Sequence, residues 1–535
     1  MKTLIRNLCA AGLAAIAISG GFSQETTFRT ETPAETAGDT PIEQVDILIT
    51  NGMVIDGTGS PPRRADIFVT GDRISFVGDI SRIYMAQPEQ VIDAAGKIVA
   101  PGFIDAHAHG NPLSEDNKVF HNFLAMGVTT ICLGQDGSSP RREDLRPWMD
   151  EVDEAGPGVN VVPFVGHATV RRLSGAELDP NPTDEQLAKM AELVADAMDA
   201  GCFGLTTGLE YSGGRPASDR ELAAVATPVG ERGGLVMSHM RTEDDDAVES
   251  AIDELVNQGR AGNSAVHVSH IKVVSGHGAA RAEEILAHME RARQEGVTIT
   301  ADIYPYTASS TGIGIVFPDW ALPPNDYDEV VATRRDELAA YLRERIAFRN
   351  GPEATLIGSG QWAGKTLAEI AEELEKPFED VLIDDLPPGS VSGAYFVMDE
   401  ELQARLLVDP HVMICSDGSP TSSHPRGHGA FARVIHHFVY ETEQLTLEEA
   451  VHKMTGLPAA TIGLDAVGRG TIAAGNAADI VIFDPHAVND AANFVEPREL
   501  AEGFDTVIVN GQVARLDGEF TDVGAGRVLR RPAAE

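Results

Sequence analysis

GKIVAPGFIDAH, residues 96–107, is where one sequence grammar stops and another begins. Before it, short alternating runs are separated by turn signals: VDILIT (45–50), Asn51-Gly52, MVID (53–56) and DIFVTGDRISFVG (66–78). Such runs read as a small β-unit. After it, apolar runs recur between amphipathic helical stretches: VTTICLG (128–134), VNVVPFVGH (159–167), CFGLTTG (202–208), GLVMSH (234–239), AVHVSH (265–270), VTITADIY (297–304) and VMICSDG (412–418). Continuous apolar strands alternating with helices such as DEQLAKMAELVADAMDAG (184–201) mean parallel strands buried on both faces. With GKIVAPGFIDAH as the first, the strands number eight, as a closed barrel needs.

The fold class is therefore α/β, a (β/α)8 TIM-like barrel over 101–464. The early grammar returns at the far end in GRGTIAAGNAADIVIFD (468–484) and FDTVIVNGQVARL (504–516). Both chain ends, 45–100 and 465–535, are thus expected to form one small β-sandwich domain that the barrel interrupts. Between the seventh and eighth strands an excursion over about 306–407 carries two helical stretches, and is expected to cover the barrel mouth as a lid. Its stretch from Gly312 to Trp320 is a candidate pocket lining.

Lys2 and Arg6 precede the apolar run Leu8–Ile18, followed by Gly20, Gly21 and Ser23. This pattern is that of a secretory signal peptide over 1–23, cleaved after Ser23, and it places the mature protein outside the cytoplasm, periplasmic or secreted. Residues 24–44, rich in Thr, Glu, Pro and Ala without apolar periodicity, read as a flexible linker. Removing the signal leaves Cys132, Cys202 and Cys415, widely spaced and apolar-flanked, so they read as core residues and no disulfide framework follows. The chain has 535 residues with 82 acidic and 41 basic side chains, a formal charge of −41. Phosphate backbones and anionic lipid would repel that surface, which sets aside nucleic-acid and polybasic membrane partners. No apolar run outside the signal is long enough to span a bilayer.

In a barrel the chemistry sits where the strands end. His107 and His109 follow the first strand, and residues two apart share a face. A His-x-His pair alone also fits two loop histidines. The set changes the reading: Asp136 ends the second strand, His239 the fifth and His270 the sixth. Imidazoles and a carboxylate gathered at one rim describe a nitrogen and oxygen site for a zinc-like divalent metal. His267, three residues before His270, has the opposite strand parity and is expected to point outward as a packing residue. Asp417, ending the eighth strand, can take a proton from water and later return it to a leaving amine. The alternative for Asp417 is a cap of the turn Asp-Gly-Ser-Pro.

These segments carry a family likeness: NGMVIDGTGSP (51–61), APGFIDAHAH (100–109), GCFGLTTGLEYSGG (201–214), SHMRTE (238–243), VSHIK (268–272), DIYPYTASST (302–311), SDGSPTSSHPR (416–426), AVHKMTGLPAATIGL (450–464) and GTIAAGNAADIVIFDP (470–485). In unbroken order they resemble the amidohydrolase superfamily and, within it, the D-aminoacylases, or N-acyl-D-amino-acid deacylases. The resemblance implies hydrolysis of N-acyl-D-amino acids, with one or two Zn2+ or other divalent ions held by His107, His109, His239 and His270. It makes Asp417 the catalytic acid and base, and Lys272, Tyr304 and Arg426 the groups that hold the substrate carboxylate. A cation with an Arg fork suits that role.

One position departs from the family pattern. After the TTxxxG run the best-known D-aminoacylases have a metal-bridging cysteine, whereas TTICLGQDGSS (129–139) has Asp136 there. A carboxylate can also bridge two ions, so Asp136 is expected to ligate. Cys132, inside the strand, is a poor substitute. Tyr211, Arg241 and His167 also fall near strand ends and receive no role. Rival readings are a dipeptidase or a cyclic-amide hydrolase on the same barrel, and a secreted metal-binding protein without turnover. A barrel glycosidase would need two carboxylates across the mouth instead of the histidine set.

Overall fold

The computed structural model describes residues 45–82 and 87–532. The signal and linker segments lie outside them.

Eight parallel strand positions form the barrel: β1 (Phe103–Asp105), β2 (Val128–Leu133), β3 (Asn160–Pro163, continued by Val165–Gly166), β4 (Gly204–Gly208), β5 (Leu235–His239), β6 (Ala265–Val268), β7 (Ile299–Ile303) and β8 (Val412–Ile414). β2, β4 and β5 are buried along their whole length, as strands covered on both faces must be. β3 is split, its first part pairing with β2 and its second with β4. The circle closes between β8 and β1, where Ala108 bridges Gly418 and Asp417 N donates to His107 O at 2.8 Å.

The helices outside the barrel follow from local sequence. Helix Asp184–Ala200 starts with a reciprocal capping box between Thr183 and Gln186 and ends at Gly201, whose φ of +113° suits glycine. Its buried residues Leu187, Met190, Leu193, Val194 and Ala197 recur at helical spacing and form one face.

Between β7 and β8 lies the expected excursion. It holds a three-stranded antiparallel sheet of Ser309–Gly312, Ser392–Tyr395 and Thr355–Ile357. Helices Tyr327–Phe348 and Leu367–Glu373 occupy the two stretches whose sequence reads as helical.

Strands from both chain ends share a seven-stranded sheet, in which Ile480–Phe483 pairs antiparallel with Ile98–Pro101. Ile49, Ile67 and Val69 from a neighbouring four-stranded sheet pack against Val99, Ile480, Ile482 and Ile508. The Asn510-Gly511 turn joins Phe504–Val509 to Gln512–Leu516, with both central residues at positive φ as a tight hairpin requires. Farther on, the chain leaves this sheet: Leu529 N donates to Val161 O at 2.9 Å, running alongside β3. Among the described residues no helix is long and apolar enough to cross a membrane.

Candidate metal centre and active site

The polar residues at the strand ends converge. Asp136 Oδ1 lies 3.4 Å from His107 Nε2 and 3.3 Å from His270 Nε2, while its Oδ2 lies 3.5 Å from His109 Nε2. His239 Nδ1 faces His270 Nε2 at 3.0 Å and Asp136 Oδ1 at 3.9 Å. A single carboxylate thus stands between two imidazole pairs, the arrangement a bridging ligand needs. Asp417 Oδ1 approaches the first pair, 3.1 Å from His109 Nε2 and 3.8 Å from His107 Nε2.

Backbone geometry aims these groups. Asp136, His270 and Asp417 all have positive φ, at 53°, 35° and 46°. Non-glycine residues adopt that region at a conformational cost, and such positions cluster at functional sites. Here the chain turns sharply as it leaves β2, β6 and β8, which directs each side chain over the barrel axis. The same turn corrects the reading of His267. Strand parity ends at Val268 and the turn reorients His270, so His267 does not point outward. It is fully buried, with Nδ1 2.7 Å from Thr300 Oγ1 and Nε2 2.9 Å from Asp302 Oδ2. Asp302 also accepts the backbone N–H of His270, so it braces the turn that carries that imidazole.

The donor set fits a divalent cation. Both ring nitrogens of His107 are buried without a well-formed hydrogen bond among the described residues. His239 Nδ1 and His270 Nε2 face each other with carboxylate oxygen on the same side. Burial works against charge on His109, yet the carboxylates of Asp136 and Asp417 hold its pKa up at about 10. Buried lone pairs and surplus negative charge gathered around one point are what a metal ion satisfies. Cys132 is fully buried inside β2 and belongs to none of the groups of ligand atoms that converge here among the described residues.

Two carboxylates that the sequence reading gave no role brace the imidazoles from behind. His239 Nε2 lies 3.1 Å from Glu210 Oε2, which fixes the tautomer that leaves Nδ1 facing the centre. His270 Nδ1 lies 3.2 Å from Glu243 Oε1 and 2.8 Å from Lys272 Nζ. The signal for both was their place inside LEYSGG and SHMRTE, although the contacts they make are between different strands.

A narrow cavity adjoins the centre, lined among others by Lys272, Tyr304, Arg426 and Asp417. Lys272 Nζ is 2.5 Å from Glu243 Oε1, an ion pair buried with it. Arg426 Nη1 is 2.7 Å from Asp417 Oδ2, and Nη2 donates to Ser310 O at 3.2 Å. The buried Tyr304 hydroxyl has no partner among the described residues, and both cations lie over its ring, Arg426 at 4.7 Å and Lys272 at 5.7 Å. His424 holds the start of helix Arg426–Arg433, with Nδ1 accepting from Arg426 N and Nε2 donating to Ala308 O. Burial raises the cost of charge on Asp417, but Arg426 and then the imidazoles hold its pKa well below the usual carboxylate range.

Tyr211 stacks 4.4 Å from the His239 ring and borders both this cavity and a wider cleft of about 640 Å3 beside His109 and Asp136. Arg241 and His167 are structural. Arg241 is clamped by Glu254 and two carbonyls. His167 shares the buried Glu221 with Arg171.

Comparison with known proteins gives the same family. Residues 403–515 match the model of the Amidohydrolase family. An N-acyl-D-glutamate deacylase of Alcaligenes xylosoxydans xylosoxydans is 34% identical over 514 residues, covering 92% of this chain and 98% of that protein. The chain belongs to the D-aminoacylase family of the amidohydrolases. A D-aminoacylase of Alcaligenes xylosoxydans xylosoxydans is 35% identical, covering 91% of this chain and 98% of its own. The crystal structure of N-acyl-D-glutamate deacylase from Bordetella bronchiseptica, complexed with zinc and a phosphonate mimic of the tetrahedral intermediate, superposes with a TM-score of 0.78. It is 33% identical and covers 91% of this chain and all of that one. As a D-aminoacylase family member the chain is a metal-dependent amide hydrolase.

Proposed function

We propose that this protein hydrolyses N-acyl-D-amino acids, releasing a carboxylic acid and a free D-amino acid, and that it works outside the cytoplasm. His107, His109, His239, His270 and Asp136 would hold one or two Zn2+ ions, which when bound supply Lewis-acid polarisation of the amide carbonyl and a lowered pKa for water. Asp417 accepts the proton of the attacking water and delivers it to the departing amide nitrogen as the C–N bond breaks. Lys272, Tyr304 and Arg426 hold the α-carboxylate, which fixes the face from which the acyl carbon is reached and so the stereochemistry accepted.

The observation that carries this reading is the Tyr304 hydroxyl, buried without a partner among the described residues, on a ring that Lys272 and Arg426 both face, in a cavity that Asp417 also borders. A free carboxylate next to the scissile amide is what such a group suits. The named activities of the relatives agree on the bond and on the D configuration. The extracytoplasmic location is supported by Lys2, Arg6 and the apolar run Leu8–Ile18.

The test is turnover of paired N-acetyl-D- and N-acetyl-L-amino acids by the zinc-loaded protein, before and after chelation. Release confined to the D series and abolished by chelator supports the proposal. Metal binding without cleavage of either series overturns it, and cleavage of dipeptides or cyclic amides instead would name the replacement. Amino-terminal sequencing of the protein from a fractionated native host tests location, with Gln24 expected as the first residue.

A further inference from the structure

A separate cavity of about 460 Å3 borders the segments that carry Tyr304 and Arg426 while including neither residue. Pro305 and Tyr306 contribute from the first segment and Pro425 from the second. The remaining walls come from helix Glu400–Val408, the π-helix Val434–Glu441 and the loop around Asp490 and Phe494. π-Turns are rare in proteins and recur at functional sites.

The polar groups of this cavity are unequally engaged. Asp490 spends both oxygens, Oδ1 on His436 Nδ1 at 2.8 Å and Oδ2 on Arg433 Nη1 at 3.1 Å. Arg433 Nε donates to Pro305 O at 2.8 Å, which leaves Nη2 without an acceptor among the described residues. Gln403 and Tyr306 are only 3% and 8% exposed. Gln403 Nε2 donates to Tyr304 O at 3.1 Å, yet Gln403 Oε1 and the Tyr306 hydroxyl have no partner among the described residues. Buried polar groups left unmatched are costly until a ligand completes them. Glu400 adds a carboxylate, while Met398, Phe438 and Phe494 supply apolar surface.

A free α-amino acid carries the matching groups. Its carboxylate suits Arg433 Nη2, its ammonium suits the acceptors Gln403 Oε1, Tyr306 Oη and Glu400, and an apolar side chain suits the two phenylalanines. An N-acyl-amino acid has lost the ammonium charge and keeps a single N–H, so this cavity favours the free amino acid over its acylated form.

We propose that this cavity is a second ligand site, which binds a free α-amino acid with an aromatic or large aliphatic side chain and thereby alters substrate binding. The link runs through the same side chains. Gln403 and Arg433 hold the carbonyls of Tyr304 and Pro305, and Phe494 packs 4.9 Å from the His424 ring whose Nδ1 accepts from Arg426 N. An occupant that draws on these groups moves the backbone under Tyr304 and Arg426. That the occupant is also the product of the reaction rests on the deacylase reading above, whereas the site itself does not.

The test is calorimetric titration of D-phenylalanine, L-phenylalanine and N-acetyl-D-phenylalanine into zinc-loaded protein, with and without a phosphonate analogue of N-acetyl-D-leucine filling the metal centre. At least one free amino acid is expected to bind the filled protein, one molecule per chain, and N-acetyl-D-phenylalanine at least about 10-fold more weakly. Ala404→Trp, which fills the cavity from the partly buried face of its helix, should abolish that binding, and Tyr306→Phe should weaken it by about 10-fold. Added during turnover of N-acetyl-D-leucine, the amino acid that binds should shift KM more in the parent than in Ala404→Trp, since competition at the metal centre is common to both. Binding that vanishes once the metal centre is filled, or that survives in Ala404→Trp, would overturn the proposal. So would equal KM shifts in the two proteins. Cleavage of no N-acyl-D-amino acid would overturn the deacylase reading alone, because the titrations judge the cavity without turnover.

Discussion

Asp417 divides its two oxygens between opposite tasks: Oδ2 is held by Arg426 Nη1 at 2.7 Å, and Oδ1 reaches toward His109 Nε2 at 3.1 Å. The guanidinium fixes the carboxylate plane, and the free oxygen faces the metal centre. A charge-assisted bond of this kind orients a proton acceptor without neutralising it.

Asp417→Asn keeps the shape and removes the basic oxygen. The expected result is a fall in kcat of about 10²–10⁴-fold with zinc content and KM little changed. Steady-state kinetics and elemental analysis on one sample check it; an unchanged kcat would remove Asp417 from the proton path.

Glu210 and Glu243 touch the backs of His239 and His270. Glu210→Gln should weaken zinc affinity by about 10–100-fold, the usual effect of losing a carboxylate behind a ligating imidazole. Competition with a chromogenic chelator measures this directly. Asp136→Ala, which removes the group between the two imidazole pairs, should lose more.

Glu221 is the one carboxylate serving both His167 and Arg171, and all three are fully buried. Glu221→Ala leaves Arg171 inside the protein without its counterion, an expected cost of about 3–5 kcal/mol. Urea unfolding should show it as a lowered midpoint, while kcat of the protein that remains folded stays near that of the parent.

Burial, followed by the charge of Arg498, holds the His428 pKa down at about 4. In the unfolded chain the ring takes up its proton near its ordinary value of 6.5. The unfolded state therefore binds more protons between pH 6.5 and about 4, and stability falls as pH drops through that window. His428→Gln should lose part of this acid sensitivity, up to about 3 kcal/mol between pH 7 and 4. Unfolding midpoints of both proteins at the two pH values give the difference.

Much of this molecule is legible in its sequence because the signals are local. Apolar runs buried on both faces announce the barrel strands, and a single polar residue after each places His107, His109, Asp136, His239, His270 and Asp417 at one rim. What escaped was set by distance along the chain and by backbone turns. Glu243 is four residues from His239, but it meets His270 and Lys272 on the next strand. Periodicity assigned His267 an outward face because it presumes a continuing strand, and the positive φ at His270 breaks that presumption.

The sequence by itself determined the barrel, the paired chain ends and the identity of the groups at the rim, since periodicity and strand-end position depend on near neighbours. Tertiary structure alone decided which carboxylate braces which imidazole and that Lys272, Tyr304 and Arg426 line one cavity with Asp417. The reason is physical: Glu210 and His239, like Glu243 and Lys272, stand 29 residues apart in the chain and meet only when neighbouring barrel strands pack side by side.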